Sequence, residues 1–181
     1  MIAPRLYRIA PAAAEHARGL AECHIVCWRE AYRGLVPDHV LDAFDINHRT
    51  EIWARRLRDH PGRTTVAAAD DTVIGFITLG PALYHPTVTD LELNALYVRA
   101  EWYGTGVADD LMQTTLNPET PCSLWVFEQN PRAIAFYRKY GFTPDGASRA
   151  EYFANVTEVR MVRPEGAIGS WPWPPPPKPS T

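Results

Sequence analysis

The sequence predicts an α/β or α+β fold built around one mixed sheet. Three observations point there. The first part of the chain contains a strand hairpin, "TTVAAAD" and "TVIGFITLG", turned at Asp70-Asp71. The second part alternates strand, helix, strand and helix. Between the first strand and helix of that second part stands "EWYGTGVADD", with two glycines one residue apart. Such an order favours a sheet covered by helices over an all-helical or sandwich architecture.

The elements follow in order. Tyr7 to Ala10 reads as a short first strand. From Pro11 to Tyr32 the chain is Ala-rich, and Ala17, Leu20, His24, Cys27, Trp28 and Ala31 recur at spacings of three and four, which predicts a long amphipathic helix. "GLVPDHVLDAF" holds a turn and a short helix. A further helix is predicted from Asn47 to Asp59, with Ile52, Trp53 and Leu57 on its apolar side and "HPGR" ending it. The hairpin follows, then the loop "GPALYHPT" and the strand "LELNALYV". The glycine turn leads into a helix through Leu116, with Val107, Ala108, Leu111, Met112 and Thr115 facing inward. "CSLWVF" is a strand. "NPRAIAFYRKYG" is a helix with its ends written in: Asn130 suits the N-cap, Pro131 the first helical position and Gly141 the exit. A last strand pair spans Phe142 to Val162. The stretch from Pro164, "PEGAIGSWPWPPPPKPST", has the composition of polyproline II or disorder.

Composition narrows the function. The 181 residues suit one domain with a real core; 46% are hydrophobic and 22% charged, as in a soluble globular protein. A net charge of −3 argues against binding nucleic acid by general phosphate neutralisation. No stretch has the length of a membrane helix. The N-terminus lacks an uninterrupted apolar run of signal-peptide length and is expected to be retained. Three cysteines fit free thiols in a reducing cytoplasm. Cys23, His24 and Cys27 lack a second ligand pair at matching spacing, so a buried helix face is expected there rather than a metal site.

A strand, a glycine turn and a helix N-terminus together can cradle a phosphate. The first helical amides are unpaired and carry partial positive charge, and glycines let backbone approach an anion. A plain tight turn is the alternative. A P-loop would need Lys-Ser/Thr where Val107-Ala108 stand. A dinucleotide fingerprint would need a small residue where Asp109 stands, and would usually lie in the first β-α unit.

A third pattern fits. "LYVRAEWYGTGVADDLM", taken with "LWVFEQNPRAIAFYRKYGF", resembles the GNAT superfamily of acetyl-CoA-dependent N-acetyltransferases. The first segment is similar to that family's pyrophosphate loop, whose positions fall here on Tyr103, Gly106 and Ala108. The second is similar to the following strand and helix, through Asn130, Ala133, Tyr137, Gly141 and Phe142. The resemblance covers Arg63 to Val162. It implies a mostly antiparallel sheet with splayed central strands, acetyl-CoA as co-substrate without a metal, and an N-acetyltransferase domain over residues 1–163, followed by the Pro-rich tail 164–181. Coenzyme contacts are implied at Leu96, Tyr97, Val98, Tyr103, Gly104, Thr105, Gly106, Val107, Ala108, Asn130, Ala133 and Tyr137. A homodimer through the C-terminal strands is a further expectation. Two departures stand out: Tyr103 replaces the usual Arg or Gln, and Asp109 puts a carboxylate beside the proposed phosphates.

Acetyl transfer needs a held thioester, a neutral amine, a stabilised oxyanion and a proton for the leaving thiolate. In "LELNALYV" the aliphatic parity slips between Leu93 and Leu96, as a β-bulge would make it slip, unless Ala95 and Tyr97 simply continue the first face. Deprotonating an amine of pKa near 10 at pH 7 costs roughly 4 kcal/mol. Glu92 is the candidate base, directly or through water; bonding to nearby backbone is its plainer role. The resemblance places Tyr137 near the sulfur as general acid, with aromatic packing as the alternative, and Asn130 on the pantetheine arm besides its cap. Trp28, Tyr32, Tyr84 and His85 are candidate walls of an acceptor pocket. Arg49, Arg55, Arg56, Arg58 and Arg63 form the one basic cluster, mostly a solvated face, from which one member could meet a coenzyme phosphate or an acidic substrate group. The expected acceptor is a small-molecule amine. A protein N-terminus or lysine, or a non-catalytic acetyl-CoA-binding or interaction module, are the alternatives.

Overall fold

The computed structural model describes residues 7–83, 86–151 and 156–166. The Tyr84 and His85 expectations, and most of the Pro-rich tail, lie outside them.

Seven strands form one sheet in the order β1-β2-β3-β4-β5-β7-β6. They are β1 (Arg8–Pro11), β2 (Thr64–Ala69), β3 (Thr72–Pro81), β4 (Leu91–Val98), β5 (Cys122–Phe127), β6 (Thr143–Glu151) and β7 (Val156–Arg163). Every pairing is antiparallel except β4 with β5, which is parallel. The mixed, mostly antiparallel sheet is therefore as the sequence predicts.

Among the described residues five α-helices cover it: α1 (Ala17–Tyr32), α2 (Asp38–Asp42), α3 (Ile46–Asp59), α4 (Val107–Thr115) and α5 (Pro131–Lys139). Helix α1 begins later than its Ala-rich composition suggests. Arg8–Pro11 pairs with Thr65–Ala68, and the Ala12 amide donates to the Thr64 carbonyl at 2.8 Å. Sheet pairing thus holds Pro11 and Ala12 extended against their local propensity. The Asp45 carboxylate caps α3, accepting from the His48 amide at 2.6 Å. Asn130 caps α5, with Oδ1 accepting from the Ala133 amide at 3.1 Å, and Pro131 opens that helix.

Two cores result. On one face Leu93, Val98, Leu111, Met112, Leu124 and Phe142 join α4 and α5 to the sheet. On the other, Leu20, Cys23, Cys27, Trp53 and Phe76 join α1 and α3 to it. The thiols of Cys23 and Cys27 lie 3.8 Å apart inside that second core, fully buried.

Candidate functional site

The site begins with one extra residue in β4. Leu93 pairs with Leu79 and Ala95 with Thr78, so Asn94 has no partner on β3. The bulge shifts the strand's faces: Leu91, Leu93, Leu96 and Val98 pack on the α4/α5 side, while Ala95 and Tyr97 pack on the α1/α3 side. That is the parity slip visible in "LELNALYV". On its other edge β4 meets β5 only at Glu92–Ser123 and Leu93–Leu124. Beyond those two pairs the strands part, and the inner edge of Asn94–Val98 is left unpaired by β5.

The glycine turn sits at the mouth of that gap. Gly104 and Gly106 have φ of +75° and +94°, a left-handed region that favours glycine. No atom lies within 4 Å of where a Cβ on Gly104 would sit. Helix α4 starts at Val107, so its first amides have no intrahelical acceptor. The turn therefore offers open backbone donors and a helix N-terminus, which suit an anion such as a pyrophosphate. Thr105 is different: its hydroxyl donates back to the Trp102 carbonyl at 2.7 Å and closes the turn.

Gap and turn open into one cavity of about 1020 Å³, lined by both central strands, by α1, α3 and α5, and by the start of α4. It gathers Leu96, Tyr97, Val98, Tyr103, Gly104 and Gly106 from the strand and turn. From the helices it takes Ala108, Asn130, Ala133 and Tyr137, with Trp28 and Tyr32 opposite. Glu92, Thr105 and Val107 are not on its wall.

Comparison with known proteins agrees with this geometry. Residues 60–144 match the family model described as an acetyltransferase (GNAT) domain. That segment is a GNAT acetyltransferase domain. The chain is an acetyltransferase by family. It is 27% identical to a probable N-acetyltransferase of Mycobacterium tuberculosis, over 70% of this chain and 74% of that protein. It is 28% identical to the L-amino acid N-acetyltransferase AaaT of Escherichia coli, over 62% of this chain and 74% of that protein. In fold it is similar to the PaiA N-acetyltransferase of Thermoplasma acidophilum in complex with coenzyme A. That likeness has a TM-score of 0.64 at 21% identity and covers 87% of this chain and 98% of that one.

Both residues that depart from the GNAT pattern have partners on or just after α5. The Asp109 carboxylate accepts a hydrogen bond from the Tyr140 hydroxyl at 2.6 Å and lies 4.0 Å from the Lys139 ammonium. Its charge is thus drawn toward α5. Tyr103 carries a cation in place of being one: the Arg132 guanidinium stacks 3.4 Å above its ring.

Glu92 is buried, and burial pushes its carboxyl above the usual range, against the pull of hydrogen bonds from the Asn94 side chain and the Leu83 amide. Asn94 Nδ2 donates to Glu92 Oε1 at 2.9 Å, and Asn94 is the member of that pair on the cavity wall. Tyr137 is also buried, between Phe136 and Phe142 at 5.7 and 6.0 Å, and desolvation raises its phenol. No described residue bonds its hydroxyl. Packing and cavity-facing positions thus coincide in this one side chain.

The far wall is aromatic. Trp28 meets Tyr32 and Phe44 at 5.0 and 5.5 Å, and Tyr32 meets Phe127 at 4.6 Å. Tyr32 and Tyr97 also line the cavity, and burial raises both phenols. Several wall residues escape sequence reasoning. Trp125 and Phe127 alternate with the core residues of β5, which only the strand's two-residue period could have flagged. Arg149 and Glu158 form an ion pair across β6 and β7, with the Arg149 guanidinium 4.3 Å over the Trp125 ring. Their meeting depends on a long-range register that no local pattern carries.

Among the described residues, no group of three or more metal-binding side chains converges, and no helix is long and apolar enough to cross a membrane.

Proposed function

We propose that the protein acetylates the amine of a small molecule, using acetyl-CoA, by direct attack with both substrates bound. The observation that carries this reading is the continuity of one cavity. It runs from the glycine turn, through the gap opened by the Asn94 bulge, into a pocket walled by Trp28, Tyr32 and Phe44.

Acetyl-CoA supplies an acetyl group activated as a thioester. Gly104, Gly106 and the first amides of α4 bind the pyrophosphate. Asn130, Ala133 and the edge of Leu96–Val98 hold the pantetheine arm along the gap. A β4 amide from Asn94 to Leu96 faces the thioester oxygen and stabilises its developing charge. The amine nitrogen attacks the carbonyl carbon, and the C–S bond breaks. Tyr137 gives its proton to the departing sulfur. Glu92 takes the amine's proton through water, since Asn94, which bonds its carboxyl, lines the cavity and Glu92 does not. Its raised pKa makes it a stronger base than an exposed carboxylate. Residues 1–163 act as the catalytic domain. Enclosure by α1, α2 and the sheet favours a compact amine over a peptide.

The test is thiol release from acetyl-CoA across a panel of primary amines, with N-acetyl product identified by mass. Turnover lost in Tyr137→Phe supports the reading. Absence of N-acetyl product across amines and peptides alike, despite coenzyme binding, would overturn it.

A further inference from the structure

The basic cluster of α3 splits in two. Arg58 bonds its neighbour Asp59 at 2.9 Å, and Arg55 and Arg63 are exposed. Arg49 and Arg56, seven residues apart and so on one face of the helix, also line the cavity, Arg49 half-buried and Arg56 at the exposed rim. The Phe44 ring lies 4.8 Å under the Arg49 guanidinium, and the Trp53 ring 5.3 Å under that of Arg56. These rings fix the direction of the two cations without neutralising them. No described carboxylate pairs with either. The two acids on the cavity wall are taken, Asp109 by Tyr140 and Lys139, Glu158 by Arg149.

We propose that Arg49 and Arg56 seat a carboxylate of the acetyl acceptor, so that the preferred substrates are amines bearing a carboxylate, such as α-amino acids with apolar side chains. The inference rests on the reading of this cavity as an acetyl-transfer site. Two guanidiniums brought together at the rim of an aromatic cavity repel each other and lose part of their solvent, and this partial desolvation lowers both pKa values. A bound carboxylate offsets both costs and matches the guanidinium fork. Their field already reaches His24, whose imidazole is pushed down to about 3 by burial and then by these two cations. Neutral His24 adds no third charge. The arginines act on the α1/α3 face, near Tyr97, while the glycine turn's anion site is at the N-terminus of α4. They are therefore placed for the acceptor and not for the pyrophosphate. The apolar side chain would rest on the Trp28, Tyr32 and Phe44 wall.

The experiment compares L-phenylalanine, L-leucine and L-methionine with their carboxamides, in wild type, Arg49→Gln and Arg56→Gln. Turnover is read by thiol release, and binding of each acid to the coenzyme A-loaded enzyme by calorimetry. Glutamine is a good helix former, so α3 should persist, and the thermal midpoint and coenzyme affinity check this. The expected result is a preference for acids over amides in wild type. It should fall by roughly 10- to 100-fold in each variant, the loss of a charge-assisted hydrogen bond. Equal use of acids and amides by wild type would overturn the inference while leaving acetyl transfer intact. So would a loss of coenzyme affinity in Arg49→Gln, which would assign the arginine to the coenzyme. If acids bind wild type but not the variants and no amine is acetylated, the carboxylate seat stands and the transfer reading fails. If no acid binds wild type, the seat is refuted.

Discussion

The Tyr140 hydroxyl donates to the Asp109 carboxylate at 2.6 Å, joining the last turn of α5 to the first turn of α4. In the proposed coenzyme site this bond turns an acid away from the phosphates. Negative charge at a helix N-terminus is favourable in itself, but it would repel a pyrophosphate. Tyr140 and Lys139 draw the carboxylate aside. Tyr140→Phe should therefore weaken acetyl-CoA binding by about three- to tenfold, up to about 1.4 kcal/mol. Asp109→Asn should restore it in the double variant. Calorimetric titration of the three variants checks this; undiminished binding in Tyr140→Phe would contradict it.

Arg132 over Tyr103 is the second compensation. The positive charge that an Arg at the Tyr103 position would supply is brought here from α5 by Arg132. Arg132→Ala should lower coenzyme affinity about five- to tenfold, and the remaining affinity should depend less on salt. Tyr103→Arg placed in the Arg132→Ala background should recover part of the loss. Titration at low and high ionic strength would show both effects.

Glu92 links activity to pH. Its folded pKa is raised above the ordinary 4.5, chiefly by burial. The folded state therefore holds that proton more tightly than the unfolded chain. Stability from this source is fully present below 4.5 and is lost as pH rises through the raised value. Glu92→Gln keeps an oxygen for Asn94 Nδ2 and removes the loss. The variant should gain in thermal midpoint relative to wild type as pH rises through that window, by roughly 2–4 °C per kcal/mol. Its kcat/KM should fall, and the acidic limb of the pH–rate profile should disappear. A limb unchanged in the variant would remove Glu92 from the proton path.

Tyr137→Phe keeps the ring between Phe136 and Phe142 and removes only the hydroxyl. A general acid typically contributes 10²–10⁴-fold, so kcat should drop about 100-fold with coenzyme affinity almost unchanged. A thermal midpoint lowered with kcat intact would mark Tyr137 as packing alone.

Much of this was legible in the sequence because it is local. Asn130, Pro131 and Gly141 announce α5, and the slip from Leu93 to Leu96 announces the Asn94 bulge. The glycines at 104 and 106 announce their own backbone. What was hidden is tertiary. The start of α1 is set by the pairing of β1 with β2, which overrides an Ala-rich helix propensity. Arg132 meets Tyr103 from 29 residues further along the chain, roughly the reach of one strand–helix unit. Arg149 meets Glu158 through the register of β6 on β7. From the sequence Asp109 reads as an unanswered charge, because Tyr140 is 31 residues away.

The most direct measurement is calorimetric titration of the protein with acetyl-CoA, beside Gly106→Asp. Gly106 has φ of +94°, so the variant strains the turn and adds an anion to the cradle. The account predicts micromolar binding by the native protein and its loss in the variant, with both proteins folded. No binding by the native protein, or equal binding by both, would contradict it.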